Sequence, residues 1–140
     1  PDVPILGCLT FGHPDDNHYL STLPLQSVAS TDIYFAQVAT GNVGGVAFFT
    51  GLAVVNPSKA AVDVTISVHD RYGALLGQVT RTLGRWEKYV RLVHLIEDIG
   101  ELPPLSSGYI HVTATREVFA FVLFGDEPLN FLSSVPAQLK

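Results

Sequence analysis

Val62-Asp63-Val64-Thr65-Ile66-Ser67-Val68 alternates strictly between apolar and polar residues. A period of two is typical of a β-strand that buries one face and exposes the other. Asp70-Arg71-Tyr72-Gly73 follows as a turn, in which Gly73 can take the positive φ that many turns need. The segment 75–83 then returns as the partner strand. This stretch therefore predicts an antiparallel hairpin with one buried face.

Further strands are predicted on both sides of this hairpin. They cover residues 33–39, 46–55, 109–114, 118–124 and 131–135. Residues 115–117 are predicted to be a short link between two of these strands. Asn56-Pro57 ends another, because proline cannot donate a hydrogen bond to the ladder. Short strands with regularly spaced turn signals predict an all-β fold, an antiparallel immunoglobulin-like β-sandwich.

One segment departs from the β pattern. The apolar residues that recur there at helical spacing are Leu92, Leu95, Ile96 and Ile99. Gly100 is placed as a helix stop, and Pro103-Pro104 prevents continuation. One short helix is therefore predicted over residues 91–98, capping the open end of the sandwich.

The two ends of the chain repeat each other. The corresponding motifs are Phe11-Gly12 with Phe124-Gly125, 113 positions later, and Tyr19-Leu20-Ser21 with Phe131-Leu132-Ser133, 112 positions later. This spacing is that of one small domain. Residues 1–26 are therefore interpreted as a leading β-hairpin that repeats the strands at 118–138, ahead of a β-sandwich domain at 33–138. Because the chain begins with Pro and contains no Met, it is interpreted as a processed subunit or an excised repeat.

Composition narrows the class of protein further. At 140 residues the chain has room for one domain with its own core. An apolar fraction of 47% with 15% charged residues excludes disorder. No apolar run reaches the ~18 residues of a membrane helix, so no membrane span is expected. A net charge of −5, with Lys and Arg scattered, argues against a nucleic-acid partner.

Several motifs together resemble a known kind of repeat domain. They are Thr50-Gly51-Leu52-Ala53-Val54-Val55-Asn56-Pro57, Ser107-Gly108-Tyr109-Ile110-His111-Val112-Thr113, Leu123-Phe124-Gly125 and Val135-Pro136-Ala137-Gln138. This pattern resembles a β-sandwich repeat domain of large bacterial secreted and surface proteins, over about residues 33–138 with a tail copy at 5–26. Its motifs are structural, so the resemblance implies a fold and an extracellular or cell-surface location, and it implies no activity.

The loop from His13 to His18 contains the only metal-like cluster of the sequence. Its possible ligands are His13, Asp15, Asp16 and His18. Two imidazoles and two carboxylates could bind Zn²⁺, or the oxygens alone could hold Ca²⁺. A plain polar hairpin loop is the favoured alternative, because the equivalent loop at 126–130 is acidic but contains no histidine.

No group of residues has the spacing of a catalytic site, so we expect neither an enzyme nor a cofactor. His69-Asp70 could act as a base and its orienting carboxylate, but the sequence has no nucleophile elbow to accompany them. Exposed aromatic rings are the other candidates, because sugar-binding modules use them as platforms. Trp86 and Tyr89 are predicted carbohydrate contacts, although neither they nor Tyr72 and Tyr109 are spaced to share one strand face.

The leading functional hypothesis is a structural building block of an extracellular assembly. Such a surface repeat or filament subunit would self-associate, or contact neighbouring repeats, through its leading hairpin. The apolar residues expected at that contact are Ile5, Leu6, Leu9, Phe11, Tyr19, Leu20 and Leu23. The alternative is a non-catalytic binding module, for carbohydrate or protein, on a secreted protein. An unpaired leading hairpin would favour assembly, whereas coplanar aromatic rings on one sandwich face would favour binding.

Overall fold

The computed structural model describes residues 7–13, 15 and 19–140, and within them the fold is all-β. The strands are Cys8–Gly12 (β1), Leu20–Pro24 (β2), Ser30–Phe35 (β3), Gly41–Val43 (β4), Val46–Val55 (β5), Val62–Asp70 (β6), Leu75–Leu83 (β7), Lys88–Leu92 (β8), Gly108–Asp126 (β9), Leu132–Val135 (β10) and Gln138–Leu139 (β11). All pairings between them are antiparallel. The predicted antiparallel β-sandwich is confirmed. No helix among the described residues has the length and apolarity to cross a membrane.

The sandwich consists of two sheets that share strand β9. In sheet I, the first part of β9 lies between β3 and β6, with β11 beyond β3 and β7 beyond β6. In sheet II, the second part of β9 lies between β5 and β10, and β4 and β8 line the far edge of β5. The pairs of β9 with β6 end at Ala114, and its pairs with β5 begin at Phe119.

The predicted link at residues 115–117 is therefore wrong, because β9 continues through it without a turn. These three residues are polar and exposed, since they lie where the strand passes from one sheet to the other. The hydroxyl of Thr115 accepts a hydrogen bond from the backbone N–H of Asp63 at 3.0 Å. A polar stretch inside a strand thus marks a crossing between layers in this protein.

Side chains from both sheets form one core. Its largest fully buried members include Ile33, Phe35, Leu52, Ile66 and Ile110. As its alternation predicts, β6 buries its apolar face. The residues of that face are at most 1% exposed, and they are Val62, Val64, Ile66 and Val68. Burying one such side chain contributes about 1.5–3 kcal/mol. This core joins the two sheets.

The predicted helix at 91–98 is wrong in both type and length. Strand β8 extends to Leu92, and only Val93–Leu95 forms a 3-10 turn. The buried residues of the segment are spaced by three, and they are Val93, Ile96 and Ile99. Leu95, which belongs to the predicted helical stripe, is 59% exposed. A spacing of three is the period of a 3-10 helix, and the backbone N–H of Ile96 accordingly bonds three residues back.

A buried asparagine holds together the loops at one end of the sandwich. The Asn56 side chain is fully buried, and its Nδ2 donates to the carbonyl oxygens of Ala60 (2.8 Å), Leu83 (3.2 Å) and Gly84 (2.8 Å). Its Oδ1 accepts a hydrogen bond from the backbone N–H of Ser58 at 2.9 Å. Asn56 thus ends β5, as the sequence predicts, and also ties the following loop to the turn after β7.

Candidate functional site

The leading hairpin has the same strand register as the hairpin formed by β9 and β10. The corresponding cross-strand pairs are Gly12–Leu20 with Gly125–Leu132, and Leu9–Leu23 with Val122–Val135. The repeat found in the sequence is therefore also a position-by-position repeat of backbone pairing.

Both hairpins pack a glycine against a carbonyl group at the same place. A Cβ atom on Gly12 would lie 2.7 Å from the carbonyl oxygen of Tyr19. At the equivalent Gly125, it would lie 2.6 Å from the carbonyl oxygen of Phe131. Because any larger side chain would collide with backbone, this close approach explains why both copies contain a Phe-Gly pair.

The two hairpins differ in what covers them. Val122 is fully buried in the core, whereas Leu9, at the equivalent position, is 60% exposed. Val135 is 6% exposed, whereas its equivalent Leu23 is only half-buried. Strand β5 pairs along the edge of β9, but within the described residues β1 pairs with β2 alone. The leading hairpin thus has the residue pattern of a sandwich layer without the opposing layer.

The leading hairpin lies beside the C-terminal hairpin of the same chain. The Ser134 hydroxyl donates to the carbonyl oxygen of Thr22 at 2.7 Å, which brings β2 next to β10. An apolar groove of about 260 Å³ lies between the hairpin and the outer face of sheet II, lined by Leu9, Leu23, Leu25, Phe119 and Phe121. Part of the apolar surface of the hairpin is therefore covered within the chain.

The residues predicted to make the assembly contact have different degrees of exposure. Leu9 and Leu20 are 60% and 75% exposed. Phe11, Tyr19 and Leu23 are half-buried. Ile5 and Leu6 lie outside the described residues.

The predicted metal cluster is only partly described by the structure. Asp16 and His18 lie outside the described residues. His13 Nδ1 accepts a hydrogen bond from the backbone N–H of Asp15 at 3.3 Å. Within the described part of the chain, no three His, Cys, Asp or Glu side chains come together as metal ligands.

The equivalent of His13 in the second hairpin is Asp126, which closes the β9–β10 loop. Its carboxylate accepts hydrogen bonds from Asn130 Nδ2 (2.6 Å) and from the backbone N–H of Phe131 (3.2 Å). Burial favours the neutral acid, but these hydrogen bonds outweigh burial and hold the pKa of Asp126 below its usual value. At both positions a side chain accepts a hydrogen bond from the backbone of its own loop.

We expect Asp126 to make the stability of the fold sensitive to acid. Because its pKa is lower in the folded chain, the ionised carboxylate stabilises the fold above its unfolded pKa of about 3.9. This stabilisation is lost as pH falls through the folded value. Urea midpoints should drop in this acidic range, and Asp126→Asn should reduce the drop. Glu127→Gln, at an exposed neighbour in the same loop, is the control. An unchanged acid dependence in Asp126→Asn would contradict this prediction.

The predicted carbohydrate contacts Trp86 and Tyr89 lie in different settings. Trp86 occupies the turn between β7 and β8 with a positive φ of 59° and is 55% exposed. Tyr89 packs against the core, and the guanidinium carbon of Arg91 lies 5.4 Å from its ring centroid. Their rings therefore do not share one exposed surface.

The side chains of His69 and Asp70 contact the turn between β6 and β7. The Asp70 carboxylate accepts hydrogen bonds from the backbone N–H groups of Tyr72 (2.8 Å) and Ala74 (2.9 Å). His69 Nδ1 lies 3.2 Å from the carbonyl oxygen of Gly73. These contacts support the turn and do not align the two side chains as a base and its orienting carboxylate.

Stacked rings lie on the outer face of sheet I, and we call Tyr34, His69, Tyr109 and His111 the aromatic face. Tyr34 stacks on His111 with ring centroids 4.1 Å apart, and His69 stacks on Tyr109 at 4.6 Å. Of the four, only Tyr109 is a sugar candidate from sequence. The other three could not be found from sequence without the strand register, because each stacked pair consists of direct cross-strand neighbours.

Comparison with known proteins gives the fold alone. No family model matches the chain, and no curated protein matches it significantly. Among solved structures, Thermotoga maritima 1070 superposes with a TM-score of 0.60 and 8% identity, over 80% of this chain and 96% of that one. The Anabaena sensory rhodopsin transducer superposes with a TM-score of 0.55 and 11% identity, over 69% of this chain and 97% of that one.

Proposed function

We propose that this protein is a structural module of an extracellular or cell-surface assembly, and that its leading hairpin completes a second sandwich of the same kind. The observation that carries the proposal is the contrast between Leu9, which is 60% exposed, and the fully buried Val122 at the equivalent position. Exposed apolar area costs about 25 cal/mol per Å², so covering the leucines of the hairpin would stabilise an assembly. The resemblance to bacterial surface repeats supports the location.

The surroundings of the second hairpin indicate what a partner of the leading hairpin must supply. There, β5 pairs along the edge of β9, and sheet I covers the inner face. A partner for β1 must therefore supply a strand like β5 and an opposing sheet. The β5 strand of this chain already pairs on both edges, with β9 and with β8. The partner is accordingly the body of another unit, either a preceding repeat or a neighbouring subunit.

A chain of two units tests this proposal. We would fuse residues 26–119 directly ahead of residues 7–140, so that Gly7 follows Phe119 as Ala120 does in the complete sandwich. Leu9 should then be buried, and Leu9→Asp should lower the free energy of unfolding of the first unit by about 3 kcal/mol or more. In the 140-residue chain the same change should cost about 0.5 kcal/mol or less. Both effects are measured by denaturant unfolding.

Thr10→Asp is the matched control, since Thr10 is adjacent to Leu9 and faces the opposite side of β1. It should be tolerated in both chains. A Leu9→Asp effect that is equally small in both would contradict the proposal. So would a two-unit chain whose amide exchange shows only one folded sandwich.

A further inference from the structure

The aromatic face contains a gap beside Tyr109. His69 covers Tyr109 from the β6 side, with the two rings parallel to within 2°. On the β3 side the ladder ends with the pair Phe35–Ile110, so the next residue, Ala36, falls beside Tyr109. Ala36 is exposed and has only a methyl side chain. The position that would continue the row of rings past Tyr109 is therefore open.

This gap opens into a cleft of about 460 Å³, a size that accommodates a small ligand. Its lining includes Tyr34, Ala36, Arg71, Ser107, Tyr109 and Gln138. The rings of Tyr34 and Tyr109 lie 6.3 Å apart and inclined by 39°, so they form two sides of the cleft.

Both tyrosines are supported by neighbouring histidines. His111 stacks on Tyr34 at 4.1 Å, and His111 Nε2 lies 2.7 Å from Asp32 Oδ1. His69 supports Tyr109 in the same way at 4.6 Å. Rings fixed in this manner lose little side-chain entropy when a ligand packs on them, which favours binding.

The polar groups of the cleft suit a neutral hydroxylated ligand. Gln138 can donate and accept hydrogen bonds, the Ser107 hydroxyl can do both, and Arg71 donates only. Among the described residues that line the cleft, Arg71 is the only cation, and the chain carries a net charge of −5. Nucleotides and other polyphosphates are therefore poor candidates. A sugar ring combines a flat C–H face, which can lie on an aromatic ring, with hydroxyl groups around its edge.

We propose that this cleft binds a pyranose ring of a β-linked carbohydrate whose hydroxyl groups are equatorial. The ring lies against Tyr109 in the position left open by Ala36. Its hydroxyl groups bond to Gln138, Ser107 and Arg71. This binding site is separate from the leading hairpin and goes beyond the assembly role.

Titration of the full 140-residue chain with cellohexaose and with chitohexaose tests the site. Saturable amide shifts in a ¹H–¹⁵N spectrum, centred on Ala36 and Tyr109, are the expected result for at least one of them. Tyr109→Ala should weaken binding about tenfold or more, which corresponds to about 1.4 kcal/mol. Ala36→Phe should block the cleft with its own ring and abolish binding, while the spectrum keeps the dispersion of a folded chain.

Trp86→Ala is the matched control, since Trp86 is an exposed aromatic residue outside the cleft lining. The Trp86→Ala chain should bind the oligosaccharide with the same affinity as the unaltered chain. Three results overturn the proposal: no saturable shift with either oligosaccharide at millimolar concentration, binding that survives Ala36→Phe, or binding that requires Trp86 and not Tyr109. If Tyr109→Ala fails to fold, Ala36→Phe decides the question alone, because it removes no contact of the core.

Discussion

Phe35→Ala should lower the free energy of unfolding by about 3–5 kcal/mol, the cost of removing a fully buried aromatic ring from a packed core. Phe35 is 0% exposed and lies in β3 opposite Ile110, at the end of the ladder that joins β3 to β9. Since a domain of this size has only about 5–15 kcal/mol of stability, the variant should unfold at a much lower denaturant concentration.

Tyr72→Ala provides the comparison, because Tyr72 is an aromatic residue of similar size that is 80% exposed. It should change stability by about 0.5 kcal/mol or less. Chemical unfolding followed by far-ultraviolet circular dichroism measures both variants. Similar losses in the two would mean that Phe35 does not pack in the core as described.

Asn56→Ala should be the second most damaging change, although it removes only a small polar side chain. The carbonyl oxygens of Ala60, Leu83 and Gly84 would each lose the hydrogen bond from Asn56 Nδ2, and the backbone N–H of Ser58 would lose its acceptor. Each lost hydrogen bond contributes about 0.5–1.5 kcal/mol, and the variant loses four of them. We therefore expect a loss of about 3 kcal/mol or more in urea unfolding.

Asn56→Asp separates hydrogen bonding from side-chain volume. A carboxylate of the same shape would face three carbonyl oxygens that it cannot donate to, so its folded-state pKa should rise. The variant should be least stable at neutral pH and recover partly as pH falls and the acid becomes protonated. Asn42→Ala is the control and should be mild, since Asn42 is an exposed residue of β4 whose Oδ1 accepts one hydrogen bond, from the backbone N–H of Gly45. A mild effect at Asn56 as well would contradict the structural role assigned to it.

The sequence pattern is sufficient to predict the strands that bury one face. Strands β5 and β7 have the predicted bounds, and β6 begins at the predicted Val62, because alternation and turn residues are local signals. The helix prediction is wrong because the same segment fits two periods. Leu92, Leu95, Ile96 and Ile99 have helical spacing, whereas the residues that are actually buried, Val93, Ile96 and Ile99, are spaced by three. Short apolar segments do not distinguish these two periods.

The candidate sites depend on information that no local pattern carries. Tyr34 and His111 are 77 positions apart in the chain, and they stack because β3 and β9 pair in one particular register. The gap beside Tyr109 exists because the ladder places Ala36, with only a methyl side chain, next to that ring. The repeated hairpin, by contrast, can be found from sequence, because similar sequences produce the same register twice. The exposure of Leu9 depends on the surroundings of the hairpin and not on its own residues.

Because β9 belongs to both sheets, the sandwich has a characteristic order of completion during protein synthesis. The N-terminus of a chain leaves the ribosome first, so β3, β5, β6 and β7 all emerge before residues 108–126. Until then the central position of sheet I is empty, and β5 lacks its neighbour on one edge. We expect the layers to expose apolar faces until β9 pairs with strands of both sheets. We therefore expect completion of the sandwich to require the pairing of residues about 70 positions apart, a topology associated with slow folding.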